Sequence, residues 1–388
     1  MPFASILSTV GDTKKAQADV CREAEIHGSA DLALLFYSHH HAGEVEYLAR
    51  QIQERIRPRC LLGCPGETVV SNDREIESGP ALALWLARFG QQVELTPFHL
   101  AVAETSDGYS LLGWPDNLHG ADPKQSAILL LADPFTFPVD QFLHQVNKEC
   151  PGLRVMGGMA SGGRQAGENT LLLGQEPIQE GAVGVLVQGP INIRSVVSQG
   201  CRPIGRHMVI TKAQENIILE LGGKPPLVQL QELWQQLSPT DRELVRRGLH
   251  VGRVINEYQG EFHRGDFLIR NVMELDQQSG ALAVTERVRV GQTVQFHVRD
   301  AATADEDLHE LLQFDQRAHD RKAAGALLFS CNGRGIRLFD QPDHDARAVR
   351  AETGSIPLAG FFAQGELGPV GGQNFIHGFT ASVVLFEE

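Results

Sequence analysis

One order of predicted elements recurs three times along the 388-residue chain, and no other feature constrains its fold as strongly. In each copy an apolar strand is followed by an amphipathic helix, a glycine-bearing strand and a further apolar strand. The alternative is that any α/β chain produces such an alternation. The repeat predicts an α/β (mixed α+β) protein of β-sheets flanked by helices. The predicted elements are, copy by copy, strand 31–37, helix 44–57, strands 60–64 and 81–86; strand 127–132, helix 139–148, strands 153–158 and 181–187; strand 325–329, helix 345–352, strands 356–362 and 379–386.

The segment between the second and third copies has a different pattern, typical of antiparallel strands. Residues 191–198 alternate apolar and polar side chains, and Gly200-Cys-Arg-Pro-Ile-Gly205 predicts a sharp turn and a domain boundary. The length favours two domains. We therefore divide the chain into an N-terminal extension (1–29), a domain with two copies (30–202) and a domain with the third copy plus the antiparallel insertion (203–388). Further predicted elements there are strands 216–223, 267–273, 281–290 and 294–298, a helix at 225–237, and a helix capped by Asp300 or Thr303 whose Leu308, Leu311, Leu312 and Phe314 face a core.

Composition excludes several classes of function. A formal net charge of −14, with no block of Lys and Arg interleaved with aromatic residues, argues against nucleic-acid binding. No apolar run approaches the roughly 18 residues that span a bilayer, and residues 1–10 lack the pattern of a signal peptide. The six cysteines show no disulfide spacing. These features predict a cytoplasmic protein.

The turn Cys331-Asn-Gly-Arg-Gly335 is the sharpest candidate for a binding site, because it ends an apolar strand. Gly333 and Gly335 permit positive φ and expose backbone N–H groups. Arg334 has a planar fork that suits a carboxylate or phosphate, and the alternative is a salt bridge to Glu366 or Asp340. Cys331 is interpreted as lining a ligand site, as an inert packed thiol, or as a nucleophile. We place Asn332 in the same site.

A second stretch supplies the predicted counterpart of this turn. The segment Gly360-Phe-Phe-Ala-Gln-Gly-Glu366 precedes Ile376-His-Gly-Phe-Thr380 near the end of the chain. Glu366 would receive a ligand amine, so that Arg334 and Glu366 together suit a zwitterion. His377 orients a ligand or acts as a base toward Cys331, or else is a histidine hydrogen-bonded beside a turn. The ligand-site residues predicted from this stretch are Phe362, Gly365, Glu366, His377 and Thr380.

The turns of the first two copies contribute secondary candidates. Cys64 and Glu67 lie on the first, and Gly157 and Gly158 lie in a glycine-rich loop that lacks the Lys-Ser/Thr of a phosphate-binding loop. These turns line the same pocket or a separate one. The run 39–41 of three histidines would point alternately in an extended chain, which disfavours one metal ion. We therefore predict no cofactor and no metal.

Four motifs in order carry a resemblance to a known family. They are Leu62-Gly-Cys-Pro-Gly-Glu67, Gly200-Cys-Arg-Pro-Ile-Gly205, Cys331-Asn-Gly-Arg-Gly335 and Gly360-Phe-Phe-Ala-Gln-Gly-Glu-Leu-Gly-Pro369, followed by His377-Gly-Phe-Thr380. The chain resembles the FIST family, with its FIST N and FIST C domains, from about residue 30 to its end. The resemblance implies a sensory module that binds a small molecule, with amino acids or their derivatives as proposed ligands. Because no kinase, methyl-accepting or cyclase signature is present, a separate signalling protein would supply the output.

The leading hypothesis is non-catalytic sensing of a small anionic or zwitterionic metabolite. One alternative is a thiol enzyme with Cys331 as nucleophile and His377 as base. Another is a scaffold that recognises a partner protein through an exposed apolar patch.

Overall fold

The computed structural model describes residues 2–105, 108–259, 261–262 and 265–387, which divide into two compact units. The first unit contains the residues up to 197 together with those from 308 onward, and the second contains residues 198–307. The α-helices among the described residues are α1 Thr13–Ile26, α2 Val45–Arg55, α3 Val139–Glu149, α4 Pro226–Gln236, α5 Pro239–Arg247, α6 Ala301–Ala318 and α7 His344–Thr353. The strands are β1 Phe3–Ser8, β2 Leu32–Tyr37, β3 Cys60–Pro65, β4 Val69–Ser71, β5 Arg74–Ile76, β6 Leu82–Ala87, β7 Glu94–Thr105, β8 Gly108–Leu112, β9 Ser126–Ala132, β10 Arg154–Met159, β11 Leu171–Leu173, β12 Glu176–Ile178, β13 Ala182–Gln188, β14 Ile193–Gln199, β15 Cys201–Gln214, β16 Ile217–Leu221, β17 Leu249–Val254, β18 Phe267–Leu275, β19 Leu282–Val284, β20 Thr293–Arg299, β21 Ala323–Cys331, β22 Leu358–Ala363, β23 Glu366–Val370, β24 Gln373–His377 and β25 Thr380–Glu387.

The three predicted copies have the same strand topology, which confirms the repeat. In each copy the first two strands pair in parallel through a crossover helix, as β2 with β3, β9 with β10, and β21 with β22. The last strand of each copy, β6, β13 or β25, pairs antiparallel with the other side of the first strand. The mixed α+β class with sheets flanked by helices is therefore confirmed. All three copies lie in the first unit.

Each copy also contains a hairpin that joins the sheet of a different copy. Hairpin β4–β5 follows β3 of the first copy but pairs with β22 of the third. Hairpin β11–β12 of the second copy pairs with β3, and hairpin β23–β24 of the third pairs with β10. The exchange is therefore cyclic, and the three sheets run β1-β6-β2-β3-β11-β12, β24-β23-β10-β9-β13-β7-β8 and β14-β25-β21-β22-β4-β5.

One apolar core lies between the inner faces of the three sheets. Phe36, Trp85, Leu129, Phe361 and Phe386 belong to it and come from all three sheets. Helices α1 and α2 cover the outer face of the first sheet, α3 that of the second, and α7 that of the third. Because each strand is apolar on both faces, its sequence is a continuous apolar run, which is why the strands were predictable.

The glycine of the second strand occupies the same position in all three copies. Gly63 lies opposite Leu35, Gly157 opposite Leu130, and Gly360 opposite Leu328. Gly157 and Gly360 have φ of 143° and 158°, and an added Cβ would lie 1.9 Å and 1.8 Å from the carbonyl oxygen of the paired leucine. Only glycine fits without movement of the backbone.

The second unit is a closed six-stranded barrel of order β15-β16-β19-β18-β17-β20, and α4 and α5 belong to the same unit. The predicted turn at 200–205 is wrong, because β15 runs through it. Gly205, with φ of 66°, lies in a β-bulge between Ile204 and Met208. A bulge absorbs proline and glycine within a strand, whereas the sequence pattern alone suggests a turn.

Other predictions, here and elsewhere in the chain, need smaller corrections. The strand predicted at 281–290 is only Leu282–Val284. Leu308 and Leu312 are buried as predicted, but the Phe314 side chain is 68% exposed. The histidine run forms a 3-10 helix over His39–Glu44 rather than an extended segment.

The compact units do not separate the three copies, and our division at 29/30 and 202/203 stays a prediction. Among the described helices, none combines the length and the apolar character needed to cross a bilayer.

The repeated glycine yields a test of the fold. We expect Gly360→Ala to lower the free energy of unfolding by about 3 kcal/mol or more, because the new Cβ overlaps the Leu328 carbonyl oxygen. Urea-induced unfolding measures the change. Gly43→Ala is the matched control, since a Cβ at Gly43 meets no atom within 4 Å. A Gly360→Ala variant as stable as Gly43→Ala would contradict the close approach of β22 to β21.

Candidate functional site

The turn after β21 is held by hydrogen bonds within its own copy and by Glu77 of the first copy. Asn332 N donates to the Ala363 carbonyl oxygen (3.0 Å), and Arg334 N donates to that of Cys331 (2.8 Å). Gly335 has φ of 58°, and a Cβ there would lie 2.6 Å from the Glu77 carboxylate. That carboxylate accepts a hydrogen bond from Ile336 N (3.1 Å). The exchanged hairpin β4–β5 therefore fixes the shape of the turn.

Arg334 is buried in an ion pair that the sequence analysis assigned to other residues. Its side chain is 0% exposed, and Nε and Nη2 donate to the two carboxylate oxygens of Asp345 at 2.7 and 2.8 Å. The partner is thus neither Glu366 nor Asp340. Asp345 lies in the first turn of α7, where the crossover from β21 returns. Because this bidentate contact uses the Nε and Nη2 edge of the guanidinium, Nη1 is the nitrogen that takes no part in it.

Further groups surround the Asp345 carboxylate. Ser330 Oγ donates to Oδ2 (2.6 Å), and His344 Nδ1 lies 2.9 Å from Oδ1. The rings of His344 and Phe339 stack with centroids 3.3 Å apart, and the Arg334 guanidinium lies 5.2 Å from the Phe339 centroid. Burial opposes ionisation of Asp345, but the Arg334 charge and these hydrogen bonds outweigh it and hold the pKa of Asp345 well below its usual range.

Glu366 is the second buried carboxyl group of the site, after Asp345. It is 0% exposed, and Oε2 accepts hydrogen bonds from Thr380 N (3.1 Å) and Thr380 Oγ1 (2.8 Å). Burial raises the pKa of Glu366 to about 8, against the opposing effects of Thr380, the Arg334 charge and a hydrogen bond from the Cys331 thiol. Glu366 is therefore largely protonated at neutral pH and can accept or release a proton close to that pH.

Three buried polar atoms of this cluster have no hydrogen-bond partner among the residues that the structure describes. They are Arg334 Nη1, Asn332 Oδ1 and Glu366 Oε1. A fourth atom of this kind, Glu75 Oε2, belongs to a carboxyl whose Oε1 accepts from Ala346 N (2.8 Å) at the start of α7. Burial and the negative charge of Asp345 raise the pKa of Glu75 to about 8. An unpaired buried polar atom is unfavourable by roughly 1–3 kcal/mol, so such atoms commonly mark a site for water or ligand.

The structure brings the residues predicted at the turn together with Glu366 and Thr380. Gly365 adjoins them on the same segment, but the Phe362 ring packs in the core beneath α7. His377 Nε2 lies 2.9 Å from the Gly368 carbonyl oxygen, which only accepts, so Nε2 carries its proton. The carboxyl that hydrogen-bonds the Cys331 thiol belongs to Glu366. The role of His377 as base toward Cys331 stays a prediction, and Nδ1 is the ring nitrogen that could fill it.

The secondary candidates lie at the edge of the cluster. Glu67 pairs with Arg337, and Glu67 N donates to Ser161 Oγ (2.9 Å). Gly158 lies opposite Glu366 in the pairing of β10 with β23, and Gly157 is its neighbour. Cys64 is fully buried, and its thiol donates to the Pro65 carbonyl oxygen (3.5 Å). The three turns thus meet around one region, although Cys64 itself faces the core.

Sequence reasoning missed five polar or aromatic residues of the cluster. Asp345 was predicted only as a helix start, and its acidic side chain in the first turn beside an arginine-bearing loop was an available signal. Phe339 and His344 had no pattern of their own. Glu75 and Glu77 arrive through hairpin exchange, which no local pattern reveals.

The Arg334 ion pair leads to a stability prediction. We expect Arg334→Met to lower the free energy of unfolding by about 3–5 kcal/mol, because it leaves the Asp345 carboxylate buried without its cation. Arg22→Met is the control, since the pair Arg22–Asp19 is exposed and contributes under about 1 kcal/mol. Urea-induced unfolding of both variants gives the comparison. Equal costs for the two would contradict a buried ion pair at Arg334.

The raised pKa of Glu366 predicts a pH dependence. A carboxyl whose pKa is raised by folding stabilises the folded state most below its unfolded pKa of about 4.3 and loses that contribution as pH rises toward 8. Stability should therefore fall between pH 5 and 8, by at most about 1.4 kcal/mol per pH unit for this group. We expect a shallower fall in Glu366→Gln, measured by urea unfolding across this range. Glu94→Gln, at an exposed strand position, should follow the parent chain; identical pH profiles for all three would contradict the prediction.

Comparison with known proteins identifies the family. The FIST N domain model matches residues 31–224 and the FIST C domain model matches residues 229–369. An uncharacterized protein of Mycobacterium tuberculosis is 42% identical over 383 residues, covering 98% of both chains. An uncharacterized protein of Mycobacterium bovis is 41% identical over 381 residues, covering 97% of both chains. The chain therefore belongs to the FIST family, whose domains are generally sensory domains of signal transduction.

Proposed function

We propose that this chain senses a small zwitterionic metabolite, such as an amino acid, at the cluster of Asn332, Arg334 and Glu366. The observation that supports this most is the set of buried atoms without a partner among the described residues: the donor Arg334 Nη1, the acceptor Asn332 Oδ1, and Glu366 Oε1, which accepts when Glu366 is ionised. A ligand that satisfies them must accept at one point and donate at another. A zwitterion does both.

A purely anionic ligand fits this arrangement less well. The Nε and Nη2 edge of Arg334 is already held by Asp345, so a ligand carboxylate meets a guanidinium whose charge is largely compensated. An anion also leaves the two acceptor atoms unsatisfied and adds negative charge beside Asp345 and Glu366. A ligand ammonium group instead donates to Glu366 and favours its ionised form. The amine is thus the group that this site selects.

Access to the buried atoms is through the turn itself. Cys331, Asn332 and Gly333 are partly exposed, whereas Arg334 and Glu366 are fully buried. A small ligand that displaces or passes these three residues reaches the cluster. The FIST domains suggest that the bound state is then read by a partner in signal transduction, and we propose a separate output protein for that role.

A thermal-shift and calorimetry screen tests the proposed function. The panel pairs amino acids with amines and carboxylates of the same size. A ligand at one hundred times its Kd should add about 2.7 kcal/mol, which raises Tm by several degrees. The shift should be lost in Asn332→Ala and in Glu366→Gln and kept in Glu94→Gln. No shift with any compound, or a shift that both site variants retain, would overturn the proposal.

A further inference from the structure

Cys331 differs from the other cysteines of the chain in its exposure. Cys21, Cys60, Cys64, Cys150 and Cys201 are all buried, and only Cys331 is partly exposed. Burial raises the pKa of Cys60 to about 12, and the pKa of Cys64 is also raised well above its usual value. Thiols in such surroundings remain protonated and unreactive. Any thiol chemistry of the folded chain therefore belongs to Cys331.

The Cys331 sulfur has polar and charged neighbours rather than apolar ones alone. Gly333 N donates to Sγ at 3.4 Å, and the thiol hydrogen-bonds the Glu366 carboxyl. The positive charge of Arg334 also interacts with Cys331. Arg334 is fully buried, yet its Nη1 has no partner. A buried donor that has no acceptor, and whose charge acts on the Cys331 sulfur, can bind an oxygen that forms on that sulfur.

We propose that Cys331 is a site of reversible oxidation by hydroperoxides, with Glu366 as the residue that moves the proton. In the fraction of molecules in which Glu366 is ionised, the thiol proton passes to its carboxylate, and the sulfur attacks the nearer peroxide oxygen. The S–O bond forms as the O–O bond breaks, and Glu366 returns the proton to the leaving oxygen. With hydrogen peroxide the products are the Cys331 sulfenic acid and one water; sulfur is oxidised by two electrons and the peroxide is reduced by two.

Proton matching favours this role for Glu366. An ordinary thiol has a pKa of about 8.5, and burial raises that of Glu366 to about 8. A carboxyl whose pKa is raised in this way is a stronger base toward a thiol proton than an exposed carboxylate is. With an exposed glutamate of pKa about 4.3, the same transfer would be roughly 10⁴-fold less favourable.

Arg334 and the buried surroundings favour a hydroperoxide over other reactants. Arg334 Nη1 can donate to the peroxide oxygen on which negative charge develops, and then to the oxygen of the sulfenic acid. A reactant that reaches Sγ, Glu366 and Arg334 together must be small, because the last two are fully buried. Alkylating agents need no returned proton, so Glu366 gives them no comparable help.

The test compares two reactions of the same thiol. The reduced full-length protein is treated with hydrogen peroxide at pH 7, sulfenic acid is trapped with dimedone, and the labelled cysteine is identified by mass spectrometry. Parallel samples are alkylated with iodoacetamide. We expect dimedone on Cys331, formed at least ten-fold faster than sulfenic acid on glutathione, and reversal by dithiothreitol before trapping. Cys331→Ser should abolish the label.

Glu366→Gln separates proton transfer from structure. We expect the ratio of the peroxide rate to the iodoacetamide rate to fall at least ten-fold, whereas a merely structural role would change both rates together. Glu94→Gln should keep the parent ratio. If Glu366→Gln does not fold, the rate of sulfenic acid formation on Cys331 of the parent chain, compared with the rate on glutathione, still tests the proposal. A Cys331 that reacts no faster than glutathione, a label on another cysteine, or an unchanged ratio in Glu366→Gln would overturn the proposal.

Discussion

The cyclic exchange of hairpins is the constraint on which the first unit depends. Each of its three sheets is completed by β-strands that belong to another copy, so no copy can close its own sheet or cover its own core. The pairs β4–β22, β11–β3 and β23–β10 join parts of the chain far apart in sequence. Loop-closure entropy must be overcome before such contacts stabilise the fold, so the unit should fold as one cooperative body rather than copy by copy.

The same exchange assembles the candidate site. The first copy supplies Glu75 and Glu77 on its hairpin, and the third supplies Cys331, Arg334 and Glu366. The second copy contributes β10, against which β23 places Glu366 beside Gly158. A glycine is needed at that crossing, since a Cβ on Gly158 would lie 2.9 Å from Ala363 Cβ. The repeated glycine-bearing strands therefore let the three turns approach one another. The three copies share the same strands and helix, but each supplies different side chains to the site.

Local sequence patterns predicted most of the secondary-structure elements and the turn of the candidate site. The nine strands and three helices of the repeat, the barrel strand near 294–298 and the Cys331 turn follow from apolar periodicity and glycine spacing, as β21 and α3 illustrate. The predictions that were wrong concern residues whose partners are distant in sequence. The 200–205 segment continues as a bulged strand because β20 pairs with it, and Arg334 selects Asp345 because the crossover returns α7 beside it. The hairpin exchange has no local signature at all, and with it the carboxyls of Glu75 and Glu77 were missed.

Glu366 connects the two proposed roles of the site through a single proton. A ligand ammonium group is bound best by the ionised carboxylate, and thiol oxidation needs the same carboxylate to take and return a proton. Both demands fall on the one Glu366 carboxyl, whose Oε2 also accepts from Thr380. A bound amine would therefore occupy the carboxyl that assists Cys331, and a sulfenic acid oxygen would occupy the Arg334 Nη1 that a ligand carboxylate requires. The two events exclude one another, so such a site would report either the metabolite or the oxidant, and occupancy by one would shield it from the other.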